Sequence, residues 1–334
     1  MSVVQVPLAQ SKEPEAQATI RYLVVFNPVQ SAKRQKLLAL LISELKNRSL
    51  NYTLYPTEAN LTANKHYFKS HLQQYTDVVV LGGDGTFNVV VNCIVDAQLT
   101  QKLNQKLSHK VNVGLLPAGT GNDFSKQWFN KANVKKAKQK GHSQQDLINI
   151  VLGNQVQTLY LGECHYDNKI RYFNNVLGVG FDAVIAKQLA HQKSLFRSLS
   201  YIVAALRHIP FYQEPKCELV LKGKTTKYRN LITAFANSQY FGGGLPIAPN
   251  QDGRTESLTV IRAPKLSVIP KVMLLLKLTK GRHLSSKGVV HNQMQKEEEA
   301  EITTAGLEIE ADGEYIGETP CKVKVSSHTI NLKV

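Results

Sequence analysis

Short apolar runs without polar alternation recur through the first third of the chain, at residues 22–26, 78–81 and 111–116. A strand with one wet face alternates, so these runs predict strands buried on both faces. Helical periods separate them. Leu37, Leu38, Leu41 and Leu45 fall on one face of a helix that Ser31 is placed to cap, with Lys33, Lys36 and Lys46 among the polar positions. A second strand is expected over 50–55, a weaker helix over 60–74 and another helix from Thr86 to about residue 97. This β-α-β-α-β-α-β rhythm predicts an α/β domain with a doubly wound parallel sheet and its ligand outside the strand ends.

Past residue 123 the pattern changes. Residues 131–140 are basic and poor in apolar side chains, which suits a solvated stretch. Strands are expected over 156–161 and 170–174, followed by the glycine-rich segment 176–182. Residues 182–209 read as one long helix ended by Pro210, with Ile185, Leu189, Leu199, Val203 and Leu206 as a core-facing stripe. Lys187, Lys193, Arg197 and Arg207 lie among its polar positions; the sharper alternative is a basic amphipathic surface resting on anionic lipid. Further strands are expected over 218–221, 231–236, 258–261, 307–310, 322–325 and 329–334, with a helix over 268–280. The second half is thus mainly antiparallel β. The division expected is a flexible extension over 1–19, an α/β domain over 20–130 and a β-rich domain over 131–321.

Candidate chemistry lies where two buried strands end. Asp77-Val-Val-Val-Leu-Gly-Gly-Asp-Gly-Thr86 hands a strand to a helix through Gly82, Gly83 and Gly85. Such a turn presents unpaired N–H groups and the positive end of a helix dipole, a cradle for phosphate. Asp84 repels phosphate unless a divalent cation stands between them, which points to Mg²⁺ with a nucleotide. The plainer alternative is a glycine turn with Asp84 capping the helix. The second loop, Pro117-Ala-Gly-Thr-Gly-Asn-Asp123, repeats the elements: Gly119, Thr120, Gly121, Asn122 and a closing carboxylate on Asp123. Two such loops on one sheet can converge on one triphosphate.

Composition narrows the class. The 334 residues carry 41 Lys+Arg against 25 Asp+Glu, a net charge of +16, which calls for an anionic partner. The basic residues are not interleaved with aromatics in a nucleic-acid-binding pattern. The best candidate for a membrane span, 272–276, is soon broken by Lys277, and no apolar run is long enough to cross a bilayer. The first residues show no basic-then-apolar signal, so a cytoplasmic location is expected. Cys93, Cys164, Cys217 and Cys321 are far apart and read as unpaired thiols. There is neither a Gly-x-x-x-x-Gly-Lys-Ser/Thr loop nor the protein-kinase signature set.

The Gly82-Gly-Asp-Gly-Thr86 and Gly119-Thr-Gly-Asn-Asp123 motifs together resemble the diacylglycerol kinase-type lipid kinase family, which shares the first motif with NAD kinases. The resemblance covers nearly the whole chain after residue 20. Further matches are Tyr172-Phe-Asn-Asn-Val-Leu-Gly-Val-Gly-Phe-Asp182, Gly242-Gly243-Gly244 before Ala248-Pro249, and Gly281-Arg282-His283. It implies ATP and Mg²⁺, with nucleotide held by Asn27, Pro28, Gly82, Gly83, Asp84, Gly85, Thr86, Gly119, Thr120, Gly121 and Asn122, and metal by Asp84 and Asp123. By composition alone Asp312-Gly313 is a hairpin turn. The resemblance makes Asp312 the general base for a lipid hydroxyl and Glu314 its orienting or metal-side neighbour, and returns the final strand, about 322–334, to the first domain.

This chain departs from the family at Ala32, where glycine is expected after Asn27-Pro28 and Ser31, and at Tyr160, where an Asp is expected. Its Asp-Asp-Gly segment, tied to a structural divalent ion, would fall at Arg254-Thr255-Glu256, which puts that ion in doubt. The function implied is ATP-dependent phosphorylation of a lipid hydroxyl, diacylglycerol or a relative. The expected partner is a lipid at an anionic membrane surface, met transiently, with no nucleic acid and with room for a homodimer. The alternatives are an NAD kinase-like enzyme with a polar substrate, and a non-catalytic nucleotide- or lipid-binding regulator.

Overall fold

The computed structural model describes residues 20–28, 31–103, 110–129, 143–190 and 197–334. The expected N-terminal extension and the basic stretch 131–140 lie outside the described residues. The chain opens with β1 (Arg21–Phe26), α1 (Ala32–Asn47), β2 (Asn51–Pro56), α2 (Leu61–His71), β3 (Asp77–Gly82), α3 (Asp84–Leu103), β4 (Asn112–Pro117) and α4 (Asp123–Trp128). Then come α5 (Gln144–Leu152), β5 (Val156–Tyr166), β6 (Lys169–Phe173), β7 (Val176–Gly180), α6 (Phe181–Ala190), α7 (Arg197–His208), β8 (Lys216–Leu221) and β9 (Lys224–Ala236). The remainder is β10 (Tyr240–Phe241), β11 (Leu245–Pro246), β12 (Ser257–Pro264), α8 (Val268–Leu278), β13 (Val290–Gln295), β14 (Glu299–Ile302), β15 (Glu308–Ala311), β16 (Glu314–Glu318) and β17 (Cys321–Lys333).

The first four strands pair in parallel in the order β2-β1-β3-β4. Their side chains explain why alternation was absent. Tyr22, Val24, Val79 and Leu81 pack against Leu37, Leu41 and Leu45 of α1, while Leu23, Val25, Val78 and Val80 meet α2 and α3 through Phe68, Phe87, Val90 and Val91. α5 joins the α1 side through Ile148, Val151 and Leu152, with Val151 seated against Gly114 of β4. The α/β unit therefore continues past the expected division near residue 130.

β17 runs parallel to β4 through Asn331 and Leu332 and antiparallel to β5 along most of its length. Through β14, β8, β9, β7, β15 and β16 the sheet continues as antiparallel pairs. The protein is thus a parallel α/β unit joined to a mainly antiparallel β unit. The order of strands reverses at β1–β3, where Asn27-Pro28 and Gly82-Gly83 end neighbouring strands; such switch points are where open α/β sheets hold ligands.

Three expectations are corrected. α3 begins at Asp84, two residues before the expected Thr86, since Gly83 already offers its carbonyl to the Phe87 N–H at 3.0 Å. Ser31 occupies the N-cap position of α1, but its side chain makes no capping bond. The long helix over 182–209 is two helices, α6 and α7, in contact with each other. One phase of periodicity cannot run through both, so the stripe fails in α7: Ala205, and Ile209 just past its end, are buried whereas Val203 is 61% exposed and Leu206 38%.

Candidate phosphoryl-transfer site

The two glycine loops meet. Ala118 N–H bonds the Gly82 carbonyl at 2.8 Å, and a Cβ on Gly119 would lie 2.5 Å from the Gly83 Cα. Only glycines allow two backbones this close. Thr86 packs its side chain over Gly82, where a Cβ would come within 2.6 Å of it. The first-turn amides of α3, from Asp84, Gly85 and Thr86, have no carbonyl one turn back to bond and form the positive end of a 20-residue helix. Thr120 is exposed beside them.

Asn122 sits at φ +52° and closes its own loop, accepting from Gly119 N–H and donating to the Gly119 carbonyl, each at 2.9 Å. Its side chain thus fixes the shape of the loop.

Asp84 points across to the second loop. Its oxygens accept the Asp123 N–H at 3.1 Å and the Phe124 N–H at 3.0 Å, so it caps α4 rather than its own helix. Burial and the Asp123 charge raise its pKa against the pull of those two amides and of Lys126. Asp123 accepts the Gly243 N–H at 2.7 Å and pairs with Lys126 at 3.1 Å, which ties the loop to the glycine turn 242–244 of the β-rich unit. Both carboxylates border Gly121: a Cβ there would lie 3.2 Å from Asp84 Oδ2 and 3.8 Å from Asp123 Oδ2. Among the described residues no three His, Cys, Asp or Glu side chains gather as a metal site. Two carboxylates fit Mg²⁺ when phosphate oxygens and water complete its shell, which suits an ion that arrives with ATP.

Asp312 and Gly313 form the β15–β16 turn at φ +51° and +82°, as Asp-Gly predicts. The Asp312 carboxylate is turned into the junction of the two units. Oδ1 accepts Asn175 N–H at 2.8 Å and Val176 N–H at 3.0 Å; Oδ2 accepts Asn174 N–H at 2.9 Å and the Asn88 side-chain amide of α3. Burial pushes its pKa up to about 6, against the lowering effect of the three backbone amides and Arg171. Glu314 pairs with Arg171 at 2.7 Å, and its Oε1 would be 3.4 Å from a Cβ on Gly85. The strand turn thus brings its second carboxylate directly over the first glycine loop.

Asn27 and Pro28 lie at the end of β1, alongside the β3 loop through the Phe26–Leu81 pairing. The Tyr160 backbone donates to the Gly253 carbonyl and accepts from the Asn237 side chain. At the altered Asp-Asp-Gly segment Arg254 takes the cationic place. Its guanidinium bonds Asp252 at 3.1 and 3.3 Å and Gln157 at 2.6 Å, and lies 4.0 Å over the Trp128 ring. These residues do not fit a divalent ion. Asn88 and Arg171 went unassigned in the sequence, although Asn88 stands four residues after Asp84 among Phe87, Val90 and Val91, a polar side chain on a buried helix face.

Residues 21–159 match the family described as the diacylglycerol kinase catalytic domain, and residues 175–334 the YegS C-terminal NAD kinase beta sandwich-like domain. The chain belongs to the diacylglycerol kinase-type lipid kinase family. It is 24% identical over 310 residues to the Bacillus subtilis (strain 168) protein named "Putative lipid kinase YtlR", covering 88% of this chain and 91% of that one. It is 24% identical over 262 residues to the "Diacylglycerol kinase" of Mycobacterium tuberculosis (strain ATCC 25618 / H37Rv), covering 78% and 77%. In fold this lipid kinase family member is similar to the "Crystal structure of a putative diacylglycerol kinase from Bacillus anthracis str. Sterne", with TM-score 0.69, 16% identity, and 95% and 98% of the two chains covered.

Proposed function

We propose that this protein transfers the γ-phosphoryl group of ATP to a lipid hydroxyl, diacylglycerol or a related amphiphile, with Asp312 as the general base. The carrying observation is the meeting of the Gly83 and Gly119 backbones at the start of α3, the helix whose Asn88 holds Asp312. One helix then links the phosphate cradle to the base. The amides of Asp84, Gly85 and Thr86 hold phosphate oxygens; Asp84 and Asp123 would hold Mg²⁺, which supplies charge neutralisation on the phosphates when bound. Arg171 keeps Glu314 at the edge of the loop.

A base works best with a pKa near the operating pH and a lone pair in reach of the hydroxyl. Burial provides the first for Asp312. For the second, three of its four donors are fixed backbone amides, whereas the Asn88 amide is shared with the Tyr172 carbonyl and Asn174 Oδ1. Asn88 is the donor a substrate hydroxyl can displace. Asp312→Asn should lower turnover by at least a thousandfold while ATP affinity stays within about threefold, read by isothermal titration. Near-normal turnover would remove Asp312 from the role of base.

A further inference from the structure

Twelve large apolar side chains are exposed among the described residues, and seven of them lie on α7, on α8 or just after α7. On α8, Ile269 (77% exposed), Met273 and Leu276 are spaced four and three apart, so they form one outward stripe opposite buried Lys271, Leu275 and Leu278. Val203 and Leu206 do the same on α7, and Phe211 beyond it is 82% exposed. Scattered exposed apolar residues need no explanation; a concentration on two helices does.

The same helices wall one slot. Ala205 of α7 and Ile209 just after it face Leu274, Leu275 and Leu278 of α8 across a free volume of about 60 Å³. A water needs roughly 10–15 Å³ and two or more polar partners. Of the polar groups lining the slot, Lys271 is paired with Glu214 at 2.8 Å and His283 Nε2 bonds the Ile247 carbonyl at 2.8 Å, while His283 Nδ1 and Asp182 Oδ2 have no hydrogen-bond partner among the described residues. The other thirteen of the sixteen lining residues are apolar, and that lining suits hydrocarbon. Asp182, also on its wall, crowds Gly178 together with Glu310, two residues before Asp312 on the strand that leads to the candidate base.

Charge identifies what covers this face. From Ser257 to Lys296 there are eight Lys or Arg and no Asp or Glu; from Ala183 to Gln213 there are four and again none. Lys265, Lys277, Lys280, Arg282 and Lys287 around α8 are all exposed. Apolar side chains ringed by cations match the boundary of an anionic leaflet.

We propose that the α7–α8 face rests on an anionic phospholipid bilayer and that the slot between these helices admits the leading end of an acyl chain of the acceptor lipid. The acceptor's part in this rests on the lipid kinase reading above; the docking face stands without it.

The test uses sedimentation with vesicles of phosphatidylglycerol and phosphatidylcholine, or of phosphatidylcholine alone. The full chain should bind the anionic vesicles at least tenfold more tightly. The triple variant L206E/I269E/M273E should lose at least tenfold of that binding, with its melting temperature and ATP affinity unchanged. Equal binding by variant and parent, or no binding by the parent, overturns the docking face. Leu274→Trp narrows the slot and should raise KM for vesicle-borne dioleoylglycerol several-fold with vesicle binding intact; an unchanged KM overturns the slot assignment. If vesicle binding behaves as expected while no lipid is phosphorylated, the acceptor's place in the slot falls with the kinase reading and the docking face stands.

Discussion

Asp312 is an anion with nitrogen donors on both oxygens, and the balance between those donors and burial sets its proton affinity. Hydrogen bonds to the charged form lower a carboxyl pKa, so removing one raises it. In Asn88→Leu the carboxylate keeps its three backbone amides and loses the side-chain donor. The acid limb of kcat/KM should move upward from about pH 6, with activity near pH 6 falling more than activity at pH 8. Arg171 opposes the shift, and the buried Glu310 and the Glu314 carboxylate stand on the same hairpin, so the movement measured is the net of these charges. An acid limb that stays in place would show that Asn88 does not hold the ionised form. The donors of Asp312 were not legible in the sequence, because the Asn174 amide lies 138 residues away and only the β7–β15 pairing brings it near. The bonds of Asp84 are no more legible in the sequence: its place suggests a cap for its own helix, and it accepts amides from a helix about forty residues further on.

At the scale of elements, the glycine loops depend on close backbone contact, which no larger residue permits. Gly119→Ala places a methyl 2.5 Å from the Gly83 Cα and 2.8 Å from Asn122 Oδ1. Neither neighbour is a flexible chain end, so the loops must part, at a cost of about 1–3 kcal/mol typical of overpacking. ATP affinity should fall at least tenfold, with a lower melting temperature; calorimetry reads the first and a thermal scan the second, and unchanged affinity would separate loop contact from nucleotide binding. The buried parallel strands and their turns were readable because burial on both faces leaves an unbroken apolar run and glycines mark where it ends. α7 was not, because its apolar residues carry the period of a core helix while Val203 and Leu206 face outward. Periodicity reports that a face is apolar, not what covers it.

At the scale of the molecule, β17 holds the two units in one sheet. Its end is fixed by Lys333, 1% exposed, paired with Asp77 at the start of β3 and lying 5.0 Å from the Tyr22 ring. Burial lowers the pKa of Lys333 while Asp77 holds it up. Lys333→Ala leaves the Asp77 charge buried with Thr76 Oγ1 at 2.7 Å as its nearest donor. Such a loss costs roughly 3–5 kcal/mol, and denaturant unfolding should show a midpoint shift of that size; a shift below 1 kcal/mol would contradict a closing role for this pair. The union of units sets the two glycine loops of one beside the Asp312 turn of the other, through Asn88 and through Glu314 at Gly85. The most direct measurement is transfer of labelled γ-phosphate from ATP to a panel of diacylglycerol, ceramide, sphingosine, polyprenol and NAD. Label in a lipid, lost in Asp312→Asn, is the predicted result. Label in NAD alone, or in nothing, would contradict it.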